Sequence, residues 1–387
     1  MPEITNDKIK IGITHGDING IGYEVILKML EDERIPELAT PIIYGSGKIA
    51  GFYRKMLNLT PVQLNTIDSA DDAADDRVNL INVVAEDTKV EPGVATKTGG
   101  EAAFASLEAA VRDLREGRID ALLTAPINKD TIQSDTFHFP GHTEYLEASL
   151  ADGDDSKALM IMCSDRMRVA LVTTHSRLAD VPSQVTRERV ADALRRFSHS
   201  LTADFGITGP RIAVLSLNPH AGENGLLGAE ETEQIIPGIE DARNERVIAF
   251  GPYAADGFFG SGAWTRFDGI LAMYHDQGLA PFKLLGMDAG VNFTAGLPFV
   301  RTSPDHGTAF DIAGKGEASP ASLREALYAA IDIVRNRRRH GEATANPLKK
   351  QTIERKPKKE KTDRQPRPDK AGRPETEPTT APNPEEE

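Results

Sequence analysis

Three histidines each follow a short apolar run that predicts a buried β-strand. His175 comes after "VALVTT", His220 after "IAVLSLNP" and His275 after "GILAMY". In open α/β sheets, ligands collect at the carboxyl ends of the strands, so three residues that are far apart in sequence can meet there. Three neutral imidazoles form an open metal site that leaves coordination positions for water or substrate. Spacing alone leaves two interpretations open: a metal site, or three unconnected structural histidines.

A second set of polar residues lies in segments bounded by glycine and proline, which we interpret as loops. Lys283 in "PFKLLG" and Arg301 in "FVRTSPDHG" carry the positive charge that binds a phosphate. His142 and Thr143 in "FPGHTEY", with Asn292 in "GVNFTAG", offer hydrogen bonds that orient it. The set predicts a site for a small phosphorylated metabolite, although each cation taken singly is also typical of a solvated surface.

Two glycine-rich segments could approach a ligand. In "GDINGIGYE" the glycines free the backbone, and the helix predicted next offers its N-terminus, but an ordinary strand-to-helix turn has the same composition. The second segment, "YGSGKIAG", departs from the G-x-G-x-x-G spacing of dinucleotide-binding turns and lacks the full phosphate-loop pattern. We therefore expect the second segment to make no nucleotide contact.

The elements that must position these residues alternate along the chain. Helical patterns cover residues 22–30, 100–116, 186–205, 229–244 and 322–338. Alternating strands and helices predict an α/β fold with a mainly parallel sheet. The runs interpreted as strands are "IKIGIT", "PIIYG", "VNLINVV", "IDALLTAP", "LMIMC", "VALVTT", "IAVLSLN", "VIAFGP" and "GILAMYH".

Composition excludes several classes of protein. The 387 residues carry a formal net charge of -14, which argues against a general nucleic-acid binder because phosphate backbones are held by Lys and Arg. Cys163 is the only cysteine, so an intrachain disulfide framework and a Cys-rich zinc site are excluded and a reducing cytoplasm is expected. The first residues lack a secretion-signal pattern, and no apolar stretch approaches the roughly 18 residues of a membrane span.

The composition changes abruptly at about Asn346. We predict a two-lobed α/β catalytic domain over residues 1–345 and a disordered, charged, proline-rich tail over 346–387. The tail contains almost no large apolar residues, so it cannot bury enough surface to offset the entropy of ordering. Its basic first half and acidic end suit either a solubilising appendage or a docking segment.

Taken together, the motifs resemble the family of 4-hydroxythreonine-4-phosphate dehydrogenases of pyridoxal-phosphate biosynthesis. The resemblance extends from about Ile9 to Arg338, and its specificity lies in the order and combination of the motifs. They are "GDINGIGYE", "TAPINKD", "FPGHTEYL", "TTH", "LNPHAGENG", "GPYAADGFF", "YHDQGLAPFK" and "VNFTAGLPFVRTSPDHGTAFDIAGKG". The family's first loop commonly has prolines where this chain has Ile18 and Tyr23, so we expect the geometry of that loop, or its dinucleotide contacts, to differ.

The resemblance implies a fold like that of isocitrate and isopropylmalate dehydrogenases, with two lobes, a central cleft, and a homodimer with active sites at the subunit interface. NAD would bind through cleft loops, and its contact residues stay unassigned. The implied metal is divalent, zinc above all, with magnesium or cobalt as alternatives. Its implied ligands are His175, His220 and His275, and the implied substrate contacts are His142, Thr143, Lys283, Asn292 and Arg301.

The implied activity is NAD-dependent oxidation of 4-phosphooxy-L-threonine at C3, followed by metal-assisted decarboxylation to 3-amino-2-oxopropyl phosphate. Asp276 is a candidate to orient His275, and Asp256 is a weaker candidate for binding the substrate amine. One alternative is a sibling dehydrogenase that acts on a 4-phosphorylated sugar acid, threonate or erythronate phosphate. Another is a non-catalytic protein that binds a phosphorylated metabolite.

Overall fold

A single twelve-stranded sheet organises the described part of the chain. The computed structural model describes residues 8–60, 62–150 and 157–347. The strands of these residues, numbered in chain order, are β1 (Lys10–Thr14), β2 (Thr40–Gly45), β3 (Leu64–Ile67), β4 (Val78–Asn82), β5 (Ala121–Thr124), β6 (Leu159–Cys163), β7 (Arg168–Leu171), β8 (Arg211–Leu215), β9 (Ile248–Tyr253), β10 (Gly269–Ala272), β11 (Val291–Ala295) and β12 (Val300–Pro304).

Helices follow most of the strands. The α-helices of the described residues are α1 (Gly22–Met29), α2 (Ile35–Leu38), α3 (Gly47–Met56), α4 (Lys97–Arg115), α5 (His142–Leu150), α6 (Val181–Gln184), α7 (Arg187–Ala203), α8 (Ile236–Asn244), α9 (Ala255–Gly260), α10 (His275–Gly286) and α11 (Ala321–Thr344). Ser46, Thr96 and Thr186 each cap a helix by accepting a backbone N–H three residues later. Such caps contribute about 1 kcal/mol each, which explains where α3, α4 and α7 begin.

The sheet has two parallel halves that run in opposite directions. Its strand order is β3-β4-β2-β1-β5-β12-β11-β6-β7-β10-β8-β9. β11 is antiparallel to both β12 and β6, and β6 is antiparallel to β7, whereas the other pairs are parallel. The reversal at β12, β11 and β6 therefore lies at the centre of the sheet, between its two parallel halves.

The predicted α/β class and mainly parallel sheet are confirmed. All nine predicted strands are present, and the five helical patterns correspond to α1, α4, α7, α8 and α11. Three strands escaped prediction: the edge strand β3, and the central strands β11 and β12. The segments of β11 and β12 were interpreted as loops because glycine and proline flank them, and that interpretation is wrong.

The core lies on both faces of the sheet. Ile13 and Leu123 are fully buried on one face, and Ile42 and Leu122 are fully buried on the other, as expected of strands that helices cover on both sides. Burial of such side chains stabilises the fold by about 1.5–3 kcal/mol each. These rigid strands fix the positions of the polar residues at their ends.

The loop "GDINGIGYE" is buried throughout and carries a stack of aromatic rings. The rings of His15 and Tyr23 stack with centroids 5.1 Å apart, and those of Tyr23 and Tyr53 with centroids 5.7 Å apart. The Tyr53 hydroxyl donates to the Ile18 carbonyl at 2.6 Å. Gly45 leaves room for this stack, since a Cβ atom there would lie 2.6 Å from the Tyr23 hydroxyl. The burial favours the structural interpretation of this loop, as a strand-to-helix turn.

A second loop, residues 305–320 between β12 and α11, is tied to α1. The Ile21 N–H donates to the Thr308 carbonyl at 3.1 Å. Buried Glu24 accepts from Lys28 at 2.7 Å and from the Ala318 N–H at 2.9 Å. The first part of this loop is thereby held in place beside the central strands.

Two predictions from the sequence concern the C-terminal tail and membrane-spanning helices. The predicted tail lies, apart from residues 346 and 347, outside the described residues, so its disorder stays a prediction. Among the helices of the described residues, none has both the length and the apolar character needed to cross a membrane.

We expect acid to weaken the fold through His15. Burial lowers the pKa of this imidazole from 6.5 to about 4, so the unfolded chain binds its proton first as the pH falls. The stability that the fold gains by keeping His15 neutral is fully present above about pH 6.5 and is lost as the pH falls toward 4. Urea unfolding at about pH 7 and about pH 5 should show that wild type loses about 2 kcal/mol more than His15→Gln.

The exposed His199 provides the matched control, because His199→Gln should retain the wild-type loss. Burial also lowers the pKa values of His142 and His306, but both residues are present in all three proteins and cancel in the comparison. Equal losses in wild type and His15→Gln would contradict the prediction.

Candidate active site

A cavity of about 310 Å³ lies over the central strands β5, β12, β11 and β6. Its walls come from the loop after β5, the first turn of α5, one side of α10 and residues 304–307. Both halves of the sheet therefore contribute to one cavity. The strand residues that line it are Thr124, Met160, Met162, Asn292, Arg301, Ser303 and Pro304.

Strand register explains why these side chains share one surface. Asn292 on β11 lies opposite Met162 on β6 and opposite Ser303 on β12. Side chains along a strand alternate between its faces, so Arg301 points to the same side as Ser303. The misread strands β11 and β12 are thus the floor of the cavity.

Arg301 is a buried cation with hydroxyl partners. Its side chain is 5% exposed, and its guanidinium donates to Thr124 Oγ1 at 2.7 and 3.0 Å and to Thr294 Oγ1 at 3.2 Å. Among the described residues, no carboxylate oxygen lies within 4.0 Å of it. Burial lowers the pKa of Arg301 to about 10, which leaves it charged at neutral pH. A buried charge without a counter-charge is unfavourable, so this position is suited to an anionic ligand.

His175 and His275 meet at the cavity, with ring centroids 5.8 Å apart. Asp276 fixes the orientation of His275, because its Oδ1 lies 2.7 Å from His275 Nδ1. The sequence predicts that His275 and Asp276 follow the end of a strand, where the side chains of adjacent residues point to opposite faces. They instead open helix α10, where the contact is allowed. His275 Nε2 is therefore the nitrogen left for a ligand.

His220 does not join the other two histidines. It is exposed in the segment Pro219–Gly225 after β8 and does not line the cavity. Five consecutive residues from His220 to Asn224 have left-handed backbone, with φ between 43° and 77°. Four of them are not glycine, so this conformation is strained.

The donor set matches part of a metal site. Within residues 8–60, 62–150 and 157–347, no group of three His, Cys, Asp or Glu side chains is arranged to hold an ion. His175 and His275 supply two imidazoles, and burial lowers the pKa of His175, which favours the neutral form that binds metal. A divalent metal in this position needs at least one more protein ligand.

Several buried polar atoms in the cavity walls lack hydrogen-bond partners within the described structure. Lys283 forms an ion pair with Asp305 at 3.2 Å, and the other carboxylate oxygen of Asp305 is unpaired. The remaining unpaired atoms are His142 Nε2, Asn292 Oδ1 and His306 Nε2. Buried polar groups are normally satisfied, so these atoms indicate a polar ligand.

The structure thus brings seven of the eight predicted site residues to the cavity: His142, Thr143, His175, His275, Lys283, Asn292 and Arg301. Asp256, the weaker candidate for the substrate amine, is exposed and does not line it. Sequence reasoning missed other residues that do, although the motifs "TAPINKD", "GHTEY" and "SPDHG" had been noted. They are Thr124, Lys129, Glu144, Asp305 and His306.

Comparison with known proteins identifies the family. The model of the family described as pyridoxal phosphate biosynthetic protein PdxA matches residues 37–330. The chain belongs to the PdxA family. The match spans the strands that form the cavity floor, from β5 to β12, so the site described above lies inside the region that defines the PdxA family.

Individual relatives support this assignment. The chain is 55% identical over 350 residues to the 4-hydroxythreonine-4-phosphate dehydrogenase of Bacteroides thetaiotaomicron, covering 90% of this chain and 95% of that protein. It is 39% identical over 330 residues to the D-threonate 4-phosphate dehydrogenase of Cupriavidus necator, covering 84% of this chain and 98% of that protein. The crystal structure of 4-hydroxythreonine-4-phosphate dehydrogenase from Klebsiella pneumoniae matches with a TM-score of 0.75 at 33% identity, over 85% of this chain and 98% of that one.

We expect Arg301→Met to separate ligand binding from stability. Without ligand, the variant should melt no lower than wild type, because it removes a buried charge that lacks a counter-charge. The rise in melting temperature that inorganic phosphate gives wild type should disappear. Calorimetry of both proteins with and without phosphate measures the two effects.

The exposed Arg266 offers a control for loss of one positive charge. Arg266→Met should keep both the wild-type melting temperature and the response to phosphate. A response to phosphate that survives in Arg301→Met would show that this guanidinium does not bind the anion.

Proposed function

We propose that the chain is an NAD-dependent 4-hydroxythreonine-4-phosphate dehydrogenase. It oxidises 4-phosphooxy-L-threonine at C3 and releases carbon dioxide, which gives 3-amino-2-oxopropyl phosphate in pyridoxine 5'-phosphate biosynthesis. The observation that carries this proposal is the buried, unneutralised guanidinium of Arg301 in a cavity lined by the residues expected for this substrate. The names of the relatives from Bacteroides thetaiotaomicron and Klebsiella pneumoniae support it.

The cavity has groups suited to each end of this substrate. Arg301 binds an anion, while Thr143 and Asn292 offer hydrogen bonds for orientation. Two carboxylates, Glu144 and Asp305, line the same cavity and can accept hydrogen bonds from the substrate ammonium group. A sugar acid carries a hydroxyl in place of that ammonium, so the two carboxylates favour the amino acid.

The proposed metal ligands are His175, His220 and His275, with zinc as the expected ion. When bound, the metal supplies a Lewis acid that lowers the pKa of the substrate alcohol and stabilises the enolate left by decarboxylation. His175 and His275 would hold it from one chain, and Asp276, bound to His275 Nδ1, would leave the Nε2 atom of His275 available to it. Because His220 lies outside the cavity of its own chain, we assign the third ligand to a second copy of the chain.

Exposed leucines near the site support a dimer that shares its active sites. Leu178 lies three residues after His175 and is 71% exposed. Leu284 follows Lys283 and is 87% exposed, and Leu226, on the loop after His220, is 77% exposed. Leu178 and Leu284 are thus neighbours in sequence of cavity residues, and Leu226 is a neighbour of the His220 segment. Exposed large apolar side chains at such places are typical of a surface that another subunit covers.

NAD is the proposed hydride acceptor, as in the resembled family, and its contact residues stay unassigned. The second candidate function is oxidation of D-threonate 4-phosphate or erythronate 4-phosphate, which the name of the Cupriavidus necator relative favours. Both substrates carry a phosphate, a carboxylate and a secondary alcohol. The assay must therefore compare them directly.

With purified protein, NAD and zinc, we expect NADH formation with 4-phosphooxy-L-threonine, and release of carbon dioxide in equal amount. Catalytic efficiency with the threonate and erythronate phosphates should be lower, because their neutral hydroxyl has one donor and forms weaker hydrogen bonds with Glu144 and Asp305 than an ammonium group does. Absorbance of NADH and trapped carbon dioxide give the two readouts. Turnover of the sugar acids alone would establish the second function instead.

A mixing experiment tests the shared metal site. His175→Ala and His220→Ala subunits should each lose bound zinc when pure. Unfolded together in equal amounts and refolded, they should recover roughly one quarter of the wild-type zinc, because half of the dimers are mixed and each mixed dimer keeps one complete site. Elemental analysis measures zinc without relying on activity.

The same mixture made with His199→Ala in place of His220→Ala controls for refolding. It should recover more zinc than the first mixture, since the His199→Ala chains keep all three proposed ligands. No recovery of zinc in the first mixture would place all three ligands in one chain and contradict the shared site.

A further inference from the structure

The three cations that line the cavity differ in whether a carboxylate forms an ion pair with them. Lys283 is neutralised by Asp305 at 3.2 Å. Arg301 is bound only to the hydroxyls of Thr124 and Thr294. Lys129, the third cation, forms no ion pair or side-chain hydrogen bond with any described residue. Two cations are thus free to neutralise a ligand.

Lys129 lies beside the N-terminus of α5. It belongs to the loop that follows β5, and its Cε atom lies 3.6 Å from the position that a Cβ atom would take on Gly141. The next residue, His142, begins the nine-residue helix α5. The Lys129 side chain therefore lies beside the first backbone N–H groups of α5, which have no partner within the helix and stabilise anions. Glu144 Oε2 lies 3.4 Å from the same position on Gly141.

His142 connects Lys129 with Arg301. Its buried Nε2 atom has no hydrogen-bond partner in the described structure and belongs to a side chain that lines the cavity. Burial lowers the pKa of His142, and the positive charges of Arg301 and Lys129 lower it further. Both cations therefore lie near this imidazole, although Lys129 belongs to the loop after β5 and Arg301 to β12.

A phosphate dianion suits this arrangement better than a carboxylate. It carries two charges, which two cations can neutralise, and three terminal oxygens, which a helix N-terminus, Arg301 and Lys129 can bind together. Glu144 in the first turn of α5 also lines the cavity, and its charge raises the pKa of Arg301 and so helps to keep that cation protonated. With Glu144 included, the net charge of these three groups is +1, so the preference for phosphate rests on its three terminal oxygens, which the helix N-terminus and the two cations can bind together.

We propose that Lys129 binds the phosphate of the substrate together with Arg301, at the N-terminus of α5. This assignment deepens the proposed function and rests on it for the identity of the phosphorylated ligand. The ion pair of Lys283 and Asp305 is then left for the other end of the substrate.

The test compares wild type with Lys129→Gln, Lys129→Arg and the control Lys97→Gln. Lys97 is exposed at the start of α4 and does not line the cavity. In the zinc-loaded enzyme, Lys129→Gln should raise the KM for 4-phosphooxy-L-threonine by about 10- to 100-fold with a smaller change in kcat. Lys129→Arg should restore most of the affinity, and Lys97→Gln should match wild type.

A ligand without phosphate distinguishes the two anionic ends. 4-Hydroxy-L-threonine, measured as a competitor, should inhibit Lys129→Gln and wild type equally. Equal losses of affinity for the phosphorylated and unphosphorylated ligands would assign Lys129 to the carboxylate and overturn the phosphate site. An unchanged KM in Lys129→Gln would overturn it as well, while leaving the proposed function in place.

Thermal unfolding with inorganic phosphate keeps the site testable if the proposed activity fails. Unliganded Lys129→Gln should melt like wild type, because the Lys129 side chain is exposed and forms no ion pair or hydrogen bond with a described residue, while its backbone carbonyl keeps its contact with Gln133. Phosphate should raise the melting temperature of wild type and Lys97→Gln but not of Lys129→Gln. If wild type oxidises none of the candidate substrates yet shows this difference, the proposed function fails and the phosphate site stands.

Discussion

A positive charge buried without a counter-charge is the constraint on which the cavity depends. Removing the guanidinium of Arg301 from water is unfavourable, and two threonine hydroxyls compensate only part of its lost hydration. The protein tolerates this because large apolar cores on both faces of the sheet stabilise the surrounding strands. An anion that enters the cavity neutralises Arg301 and so offsets this unfavourable desolvation energy, which favours binding of the anion.

The reversal of strand direction makes this arrangement possible. A purely parallel sheet would direct polar residues to its strand ends, whereas the antiparallel strand β11 lies between β12 and β6 and presents a row of side chains across the middle of the sheet. Thr124 approaches from one half and His275 from the other. A floor of short, rigid strands holds these groups more firmly than loops alone could.

The sequence predicts the helices and strands better than it predicts which residues meet in three dimensions. Apolar runs identified nine strands because burial on both faces leaves a strong local signal, but β11 and β12 carry Asn292 and Arg301 inside them and resemble loops. The sequence predicts that His175 and His275 can meet because each follows the carboxyl end of a strand. They do meet, since β7 and β10 are adjacent and parallel. His220 follows the next strand, β8, but the left-handed backbone of its segment directs it away, and no local pattern in the sequence encodes that. Lys129 was missed because charge balance depends on which partners each cation finds in three dimensions.

The aromatic stack under the first loop has a consequence for how such sequences can diverge. Tyr23 occupies a position where the resembled family commonly has proline, and it is accommodated by its stacking with His15 and Tyr53 and by the absence of a side chain on Gly45. Exchanging Tyr23 alone for proline would leave a void between His15 and Tyr53. The effect of a substitution at any one of these four positions therefore depends on the residues at the other three. Relatives that carry the tyrosine should also retain the glycine.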